Sequence, residues 1–417
     1  MPGKAGPPAM SAMANLPLSQ ILRTYLITTV SSSPFLLRTS TSFLRRCLES
    51  KSALFSVERN PILRSVLWHT FYRQFCMGET KEQVQRGAEE LRQQGYSGII
   101  LEYALEVLKD AEGADEAKDV AFWRSKLLET IEISKPGDYV GLKWSGMGPD
   151  AMKLMKKDVE PSERMLDAMN AVCTAAAEKN VYLLPAAEET WSLSGFQNWT
   201  IRMQRAYNIG GTSVVYSTYQ AYLKSMPSIV EQHLELARKE GWTLCLKLVR
   251  GAYLASEERS KIYPTIEDTH AAYDGITEAL IHRRPNQWIK TPAESWPHIN
   301  VVLATHNAET VRKAQALRRA QKANGEELTE LSFAQLQGMA DEVSCTLVAA
   351  SRAADTDPEA VSEKVFKCTT WGSMFECLNY LLRRAAENKD AASRTADTRK
   401  ASAAEIGRRF RSVFGLS

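Results

Sequence analysis

From about residue 97 the chain alternates short apolar runs with longer stretches of helical periodicity. The runs are GIILEYA (98–104), DYVGLKWS (138–145), VYLLPAA (181–187), TSVVYSTYQ (212–220), TLCLKLVRGAY (243–253), HINVVLATHN (298–307), LSFAQLQGM (331–339) and EKVFKCTTWG (363–372). Each has about the length of a buried strand. Between them lie amphipathic stretches such as 161–179 and 224–240, the second followed by Gly241, a residue that stops helices. Strand then helix, eight times over, predicts a parallel α/β fold, and the stretch 97–388 has the length of a (β/α)8 barrel. Residues 281–297, IHRRPNQWIKTPAESWP, break the rhythm with prolines and polar residues and read as an inserted surface loop. Residues 389–417 read as a mobile or weakly helical tail. Near the N-terminus, LPLSQILRTYLITTV has helical periodicity of its own.

Composition changes this picture little. Hydrophobic residues make up 44% and charged residues 24%, ordinary values for a globular protein. A net charge of +3 is too small to argue for nucleic acid. Seven cysteines, an odd count with no CxxC, read as reduced thiols rather than a disulfide framework. Six scattered histidines offer no HxxxH or HExxH pair, so no metal site is expected. No apolar run approaches the roughly 18 residues of a membrane span. The N-terminus stands apart: no Asp or Glu precedes Glu49, while Arg23, Arg38, Arg45 and Arg46 sit among serines and threonines. That pattern resembles a mitochondrial transit peptide; a basic helical arm of the folded domain is the other reading.

In such a barrel, ligands bind at the C-terminal ends of the strands. Those ends carry Lys143, then Glu188, Gln220, Lys247 with Arg250, the trio Thr305, His306 and Asn307, and Gln337. Singly, each is an ordinary solvated strand end. Together they form a rim of cations, amides and a histidine that suits an anionic, hydrogen-bonding cofactor. In KLVRGAYLASEE (247–258), Gly251 lets backbone N–H groups approach a ligand closely, and Lys247 and Arg250 can neutralise a pyrophosphate or a reduced flavin. SGMGPDA (145–151) contains GxGxxA, but the acid expected at the end of a following strand is missing, so a tight turn is the better reading. NYLLRRAAENKD, read as a helix, gathers Tyr380, Arg383, Arg384 and Glu387 on one face. The stripe is either a solvated face with an Arg383–Glu387 pair or a claw for a carboxylate.

KLVRGAY, LATHN, LQGMADE and YLLRRAAEN, in this order, resemble the proline dehydrogenase family, in particular its monofunctional mitochondrial members from eukaryotes. FYRQFCMGET (71–80) resembles the segment before that family's barrel, and the likeness runs over roughly residues 60–395. The resemblance implies FAD on a distorted (β/α)8, TIM-like barrel with an N-terminal helical arm. It divides the chain into a targeting segment and arm (1–96), an FAD-binding barrel (97–395) and a C-terminal tail (396–417). It implies that Tyr380, Arg383 and Arg384 bind the substrate, with Lys143 a catalytic residue beside substrate and flavin. FAD would be held by Gln220, Lys247, Val249, Arg250, Gly251, Thr269, Thr305, His306, Asn307 and Glu387, with Lys247 sharing in catalysis. The implied reaction takes proline to Δ1-pyrroline-5-carboxylate and passes electrons to a membrane quinone, at the matrix side of the mitochondrial inner membrane. Two positions leave the family's pattern: Ala186 stands where an aspartate is usual, and Cys368 where a tyrosine is. They admit the same chemistry on hydroxyproline or pipecolate, or a flavin-binding relative without catalysis.

Overall fold

The computed structural model describes residues 12–104, 115–387 and 395–414. Eight parallel strands run through it: β1 (Gly98–Tyr103), β2 (Tyr139–Leu142), β3 (Tyr182–Pro185), β4 (Ser217–Gln220), β5 (Leu244–Val249), β6 (Ile299–Ala304), β7 (Glu330–Leu336) and β8 (Lys364–Trp371). Each falls on one of the eight apolar runs. The ladder runs β3-β2-β1-β8-β7-β6-β5-β4. Between β3 and β4 only a bridge closes it, where Leu183 N–H donates to Val214 O at 2.7 Å and Tyr216 N–H to Leu183 O at 2.9 Å. The short seam is where the barrel departs from an even cylinder.

Alternation along the strands decides what fills the barrel. Ile100, Tyr139, Leu184, Tyr216, Cys245, Val302, Ala334 and Phe366 pack together inside it. The Tyr139 ring meets Phe366 edge-on at 4.9 Å and Tyr216 at 5.4 Å. Outward residues such as Leu101, Val140, Leu246, Val301 and Phe333 join the larger core under the helices. The barrel floor is therefore solid, and a ligand cannot enter the barrel deeper than its C-terminal rim. A cavity of about 690 Å³ opens at the opposite end, among loops that carry Arg238, His282 and His298 but no rim residue.

The helices start and stop where local chemistry directs. Glu163–Lys179 begins at Ser162, whose hydroxyl accepts the Met165 N–H, and ends at Asn180 in the left-handed region. Met226–Glu240 ends at Gly241 with φ 74°. The 281–297 segment is a loop but not a loose one. Trp288 lies against Gly275, where a Cβ would come within 1.9 Å of the indole, and Ile289 is fully buried.

The N-terminal arm packs on the barrel through helices Leu18–Ser31 and Pro34–Glu49. Gln74, almost fully buried, links three parts of the chain. Its amide donates to Thr24 Oγ1 and to Gly338 O, both at 3.1 Å, and accepts from Arg23 Nε at 3.0 Å. The FYRQFCMGET segment is fixed to the end of β8, where Met77 N–H donates to Thr370 O at 2.8 Å and the Tyr72 hydroxyl to Gly372 O at 2.9 Å. Of the stretch expected to be a mobile or weakly helical tail, Thr395–Val413 is a helix lying along Leu18–Ser31. Buried Glu405 grips Arg409 at 2.7 Å, and Arg409 donates to the carbonyls of Ala14 and Leu16 at 2.9 and 2.7 Å. Tertiary contacts hold a helix whose own pattern is weak.

Candidate active site

The helix Met374–Glu387 leaves β8 through Gly372 and is aimed by its first turn. Ser373 N–H donates to Glu376 Oε2 at 2.9 Å, while Glu376 N–H donates to Ser373 Oγ at 3.3 Å, a reciprocal cap. The Tyr103 hydroxyl, at the end of β1, donates to Glu376 Oε1 at 2.7 Å. Met374, Cys377, Leu378 and Leu382 are buried, so the Tyr380–Arg383–Arg384 face turns elsewhere. It faces the mouth of the barrel. The Tyr380 side chain lies close to Thr370 on β8. Its ring centroid is 5.6 Å from the Arg384 guanidinium carbon. Arg384 is close enough to Lys143 and Tyr253 to affect the protonation of both. The stripe is thus not a solvated face. The side chain of Glu387 lies outside the described part of the structure.

Lys143, just past β2, donates from Nζ to Tyr253 Oη at 3.1 Å, and Tyr253 Oη donates to Ala187 O at 2.8 Å. Burial by itself would lower the Lys143 pKa; Tyr253 and Glu188 reverse that and raise it, so the group stays an ammonium at neutral pH. Burial pushes Glu188 up, against the pull of Lys143 and of the Ser145 hydroxyl, which donates to it at 2.6 Å. Gln220 is fully buried, with Nε2 donating to Glu188 O at 3.0 Å and Oε1 accepting the Ala252 N–H at 2.9 Å. Its amide joins the ends of β3 and β5.

Lys247 and Val249 alternate with Cys245 of the floor and so face into the barrel. Arg250 points the other way. Its guanidinium donates to His270 Nδ1 at 2.9 Å, Thr305 Oγ1 at 2.6 Å and Thr310 Oγ1 at 2.7 Å, and lies 4.4 Å from the Tyr273 ring centroid. Burial and the Arg250 charge lower the His270 pKa, which favours the neutral acceptor this arrangement needs. Thr269, next to His270, bonds Thr265 O in the first turn of the helix Ile266–His282. His306 Nε2 accepts the Leu336 N–H at 3.1 Å, and Asn307 caps the helix Ala308–Ala323 by accepting the Thr310 N–H. At Gly251 a Cβ would fall 2.4 Å from the Tyr222 ring, so close packing alone requires glycine there.

A model of the family described as Proline dehydrogenase matches residues 84–397, which include all eight strands of the barrel. The chain belongs to the proline dehydrogenase family. A relative named probable proline dehydrogenase, mitochondrial, from Schizosaccharomyces pombe is 27% identical over 92% of this chain and 86% of its own length. Human proline dehydrogenase 1, mitochondrial, is 31% identical over 72% of this chain but only 48% of its own. The fold matches a solved structure of proline utilization A from Bdellovibrio bacteriovorus, inactivated by N-propargylglycine, with a TM-score of 0.64 and 16% identity. That likeness covers 92% of this chain and 42% of the other.

Within this proline dehydrogenase fold the rim brings together Lys143, Tyr380 and Arg384, with Lys247 on the inner wall below. Arg383 is partly buried on the same helix as Tyr380. Thr269, Thr305, His306 and Asn307 cluster separately around Arg250. Sequence reasoning missed Tyr253, Thr370 and Glu102. The last was findable: Ile100 is inward, so period two puts Glu102 on the same wall. Of the two atypical positions, Ala186 N–H donates to Leu142 O at 2.7 Å, and Cys368 faces inward with its thiol close to the Glu102 carboxylate.

Proposed function

We propose that the protein binds FAD at the rim of its barrel, oxidises L-proline with it, and hands the electrons to a quinone. Oxidation of proline to Δ1-pyrroline-5-carboxylate follows from membership of the family; the cofactor, the residues and the acceptor are our reading. The observation that carries it is the placement of Tyr380 and Arg384 over the mouth, beside a Lys143 that stays charged. A small carboxylate entering there meets cations on two sides.

The residues fit a flavin. Gln337, at the end of β7, donates to Cys76 O at 3.3 Å, while its buried Oε1 has no hydrogen-bond partner among the described residues. Such an acceptor suits an imide or hydroxyl donor. Lys247 and Arg250 supply positive charge for a pyrophosphate or a reduced ring. Gln220, Val249, Gly251, Thr269, Thr305, His306, Asn307 and Glu387 complete the proposed contact set. The bound flavin supplies a hydride acceptor; the protein orients the substrate against it. Arg383 and Arg384 grip the carboxylate with planar forks, and Tyr380 packs over the ring. Lys143, being an ammonium, acts as a fixed charge and not as a base. The ring nitrogen must be uncharged when the hydride leaves, because an ammonium has no lone pair to stabilise the iminium.

Quinone as acceptor places the protein at a membrane. Among the described residues no helix is long and apolar enough to cross one. The arm instead exposes Leu18, Leu22, Tyr25 and Leu26 along one helix face, each between 39% and 51% exposed, and Phe35 and Phe43 on the next helix beside Arg38, Arg45 and Arg46. That combination suits peripheral contact with anionic lipid, in our reading the matrix side of the mitochondrial inner membrane.

The test is chemical. The purified chain should be yellow and release FAD, not FMN, on acid treatment, and should turn over L-proline with a soluble quinone to a trappable pyrroline. A colourless protein that neither flavin reconstitutes would overturn the reading. Ala186 and Cys368 favour a second reading, the same chemistry on another ring. Higher kcat/KM on hydroxyproline or pipecolate than on proline would select it.

A further inference from the structure

One layer above the solid floor, the inner wall carries a carboxylate that none of these roles uses. Glu102 lies on β1, two residues beyond inward-facing Ile100, and its register partners are Gly141 on β2 and Thr370 on β8. The side chain leans over Gly141, where a Cβ would sit 2.3 Å from Glu102 Cγ and 2.5 Å from Oε1. Cys368, register partner of Ile100 on β8, lies close to the carboxylate. The Tyr380 side chain lies close to Thr370, which stands opposite Glu102. The Tyr380 side chain therefore reaches from the layer of Glu102 to the guanidinium of Arg384, 5.6 Å from its ring.

The charges of the mouth give this placement meaning. Lys143, Lys247 and Arg384 are positive, and Glu188 is engaged by Ser145 and beside Lys143. A cyclic amino acid arrives with a carboxylate and a positively charged nitrogen. Its carboxylate is welcome, but its nitrogen enters a partly dehydrated, cationic mouth and needs an anion of its own. Gripped at Arg384 and stacked along Tyr380, the ring extends towards Glu102.

We propose that Glu102 is the counter-charge that recognises the substrate's ring nitrogen, so that the site reads an amino acid at both charged ends. This rests on the reading that Arg383 and Arg384 hold the carboxylate. Gly141 is the companion feature, because its missing side chain is the space Glu102 occupies.

Calorimetric binding to the flavin-loaded full chain, with its flavin reduced by dithionite to prevent turnover, tests this. The two probes are L-proline and tetrahydrofuran-2-carboxylate, which keeps ring and carboxylate but has oxygen in place of the nitrogen. Glu102→Gln, close in shape to the native side chain, should weaken proline roughly tenfold to a hundredfold. It should leave the oxygen analogue within about twofold. Gly141→Ala, which keeps the charge but displaces it, should weaken proline selectively and by less. Equal losses for both probes, or no loss for proline, would overturn the assignment of Glu102 alone. A wild type that binds neither probe would overturn the carboxylate reading beneath it.

Discussion

Single residues at the mouth divide the work between grip and charge. A hydrogen bond to a charged group contributes about 1.5–3 kcal/mol, so Arg384→Met should weaken proline binding roughly tenfold to a hundredfold. Arg383→Met should do the same, and flavin content should stay near native in both; affinity titrations with parallel flavin extraction check this. Near-native affinity in both variants would return the stripe to a structural role. Spacing on a helix fixes a face, so the sequence showed Tyr380, Arg383 and Arg384 on one stripe. It could not foresee that the amide of Gln220 is used between Glu188 O and Ala252 N–H, or that Arg250 spans three side chains. Those bonds depend on loops brought together by the closed barrel. Glu102 was passed over for a different reason: a lone acid in an apolar run carries no motif, although strand period places it on the inner wall.

Elements were more legible, because strand period and strand length survive in the sequence without help from tertiary structure. All eight strands fall on apolar runs, and Gly241 ends its helix as read. Their packing on one another rests on buried polar links that sequence does not show. Lys367, outward on β8, pairs with Asp341 at 2.8 Å, and both side chains are nearly inaccessible. Lys367→Met leaves that carboxylate unpaired and should cost about 3–5 kcal/mol in denaturant unfolding. Adding Asp341→Leu should restore much of the loss. His233, on the helix Met226–Glu240, is bonded to Tyr219 Oη at 2.7 Å; burial, with Arg205 nearby, lowers its pKa from 6.5 to about 4. Below about pH 6.5 the unfolded chain takes up a proton that the folded chain refuses. Stability should therefore fall from about pH 6.5 to about 4, by roughly 2–3 kcal/mol from this group, and be indifferent to it above. His233→Gln should flatten that limb in unfolding curves recorded across the range.

At the scale of the whole molecule, the two ends of the described chain make one unit. Helix Thr395–Val413 lies on Leu18–Ser31, and Met13, Leu16 and Ile21 are buried beside Cys345. Deleting residues 395–417 should uncover that cluster and give a protein with lower Tm and faster proteolysis of the arm. An unchanged Tm would show that the helix is ornamental to the fold. The same arm carries the exposed apolar and basic faces, so it should bind vesicles containing cardiolipin and lose them at high salt. Substituting Leu22 and Leu26 by serine should weaken binding without altering turnover with a soluble quinone. Sequence composition marked the arm as unusual but left targeting signal and folded arm equally open, because an acid-poor amphipathic helix serves either. The weak pattern of 395–413 concealed its helix, since the partners that hold it lie almost four hundred residues away.

The most direct measurement is an anaerobic titration of the purified, flavin-loaded chain with L-proline, followed by the flavin absorption. Complete bleaching on excess proline is expected, with formation of pyrroline product equal to the flavin reduced, and recovery of the yellow form on adding a quinone. A flavin that stays oxidised under excess proline, in a protein that dithionite still reduces, would contradict the assignment of proline oxidation to this site.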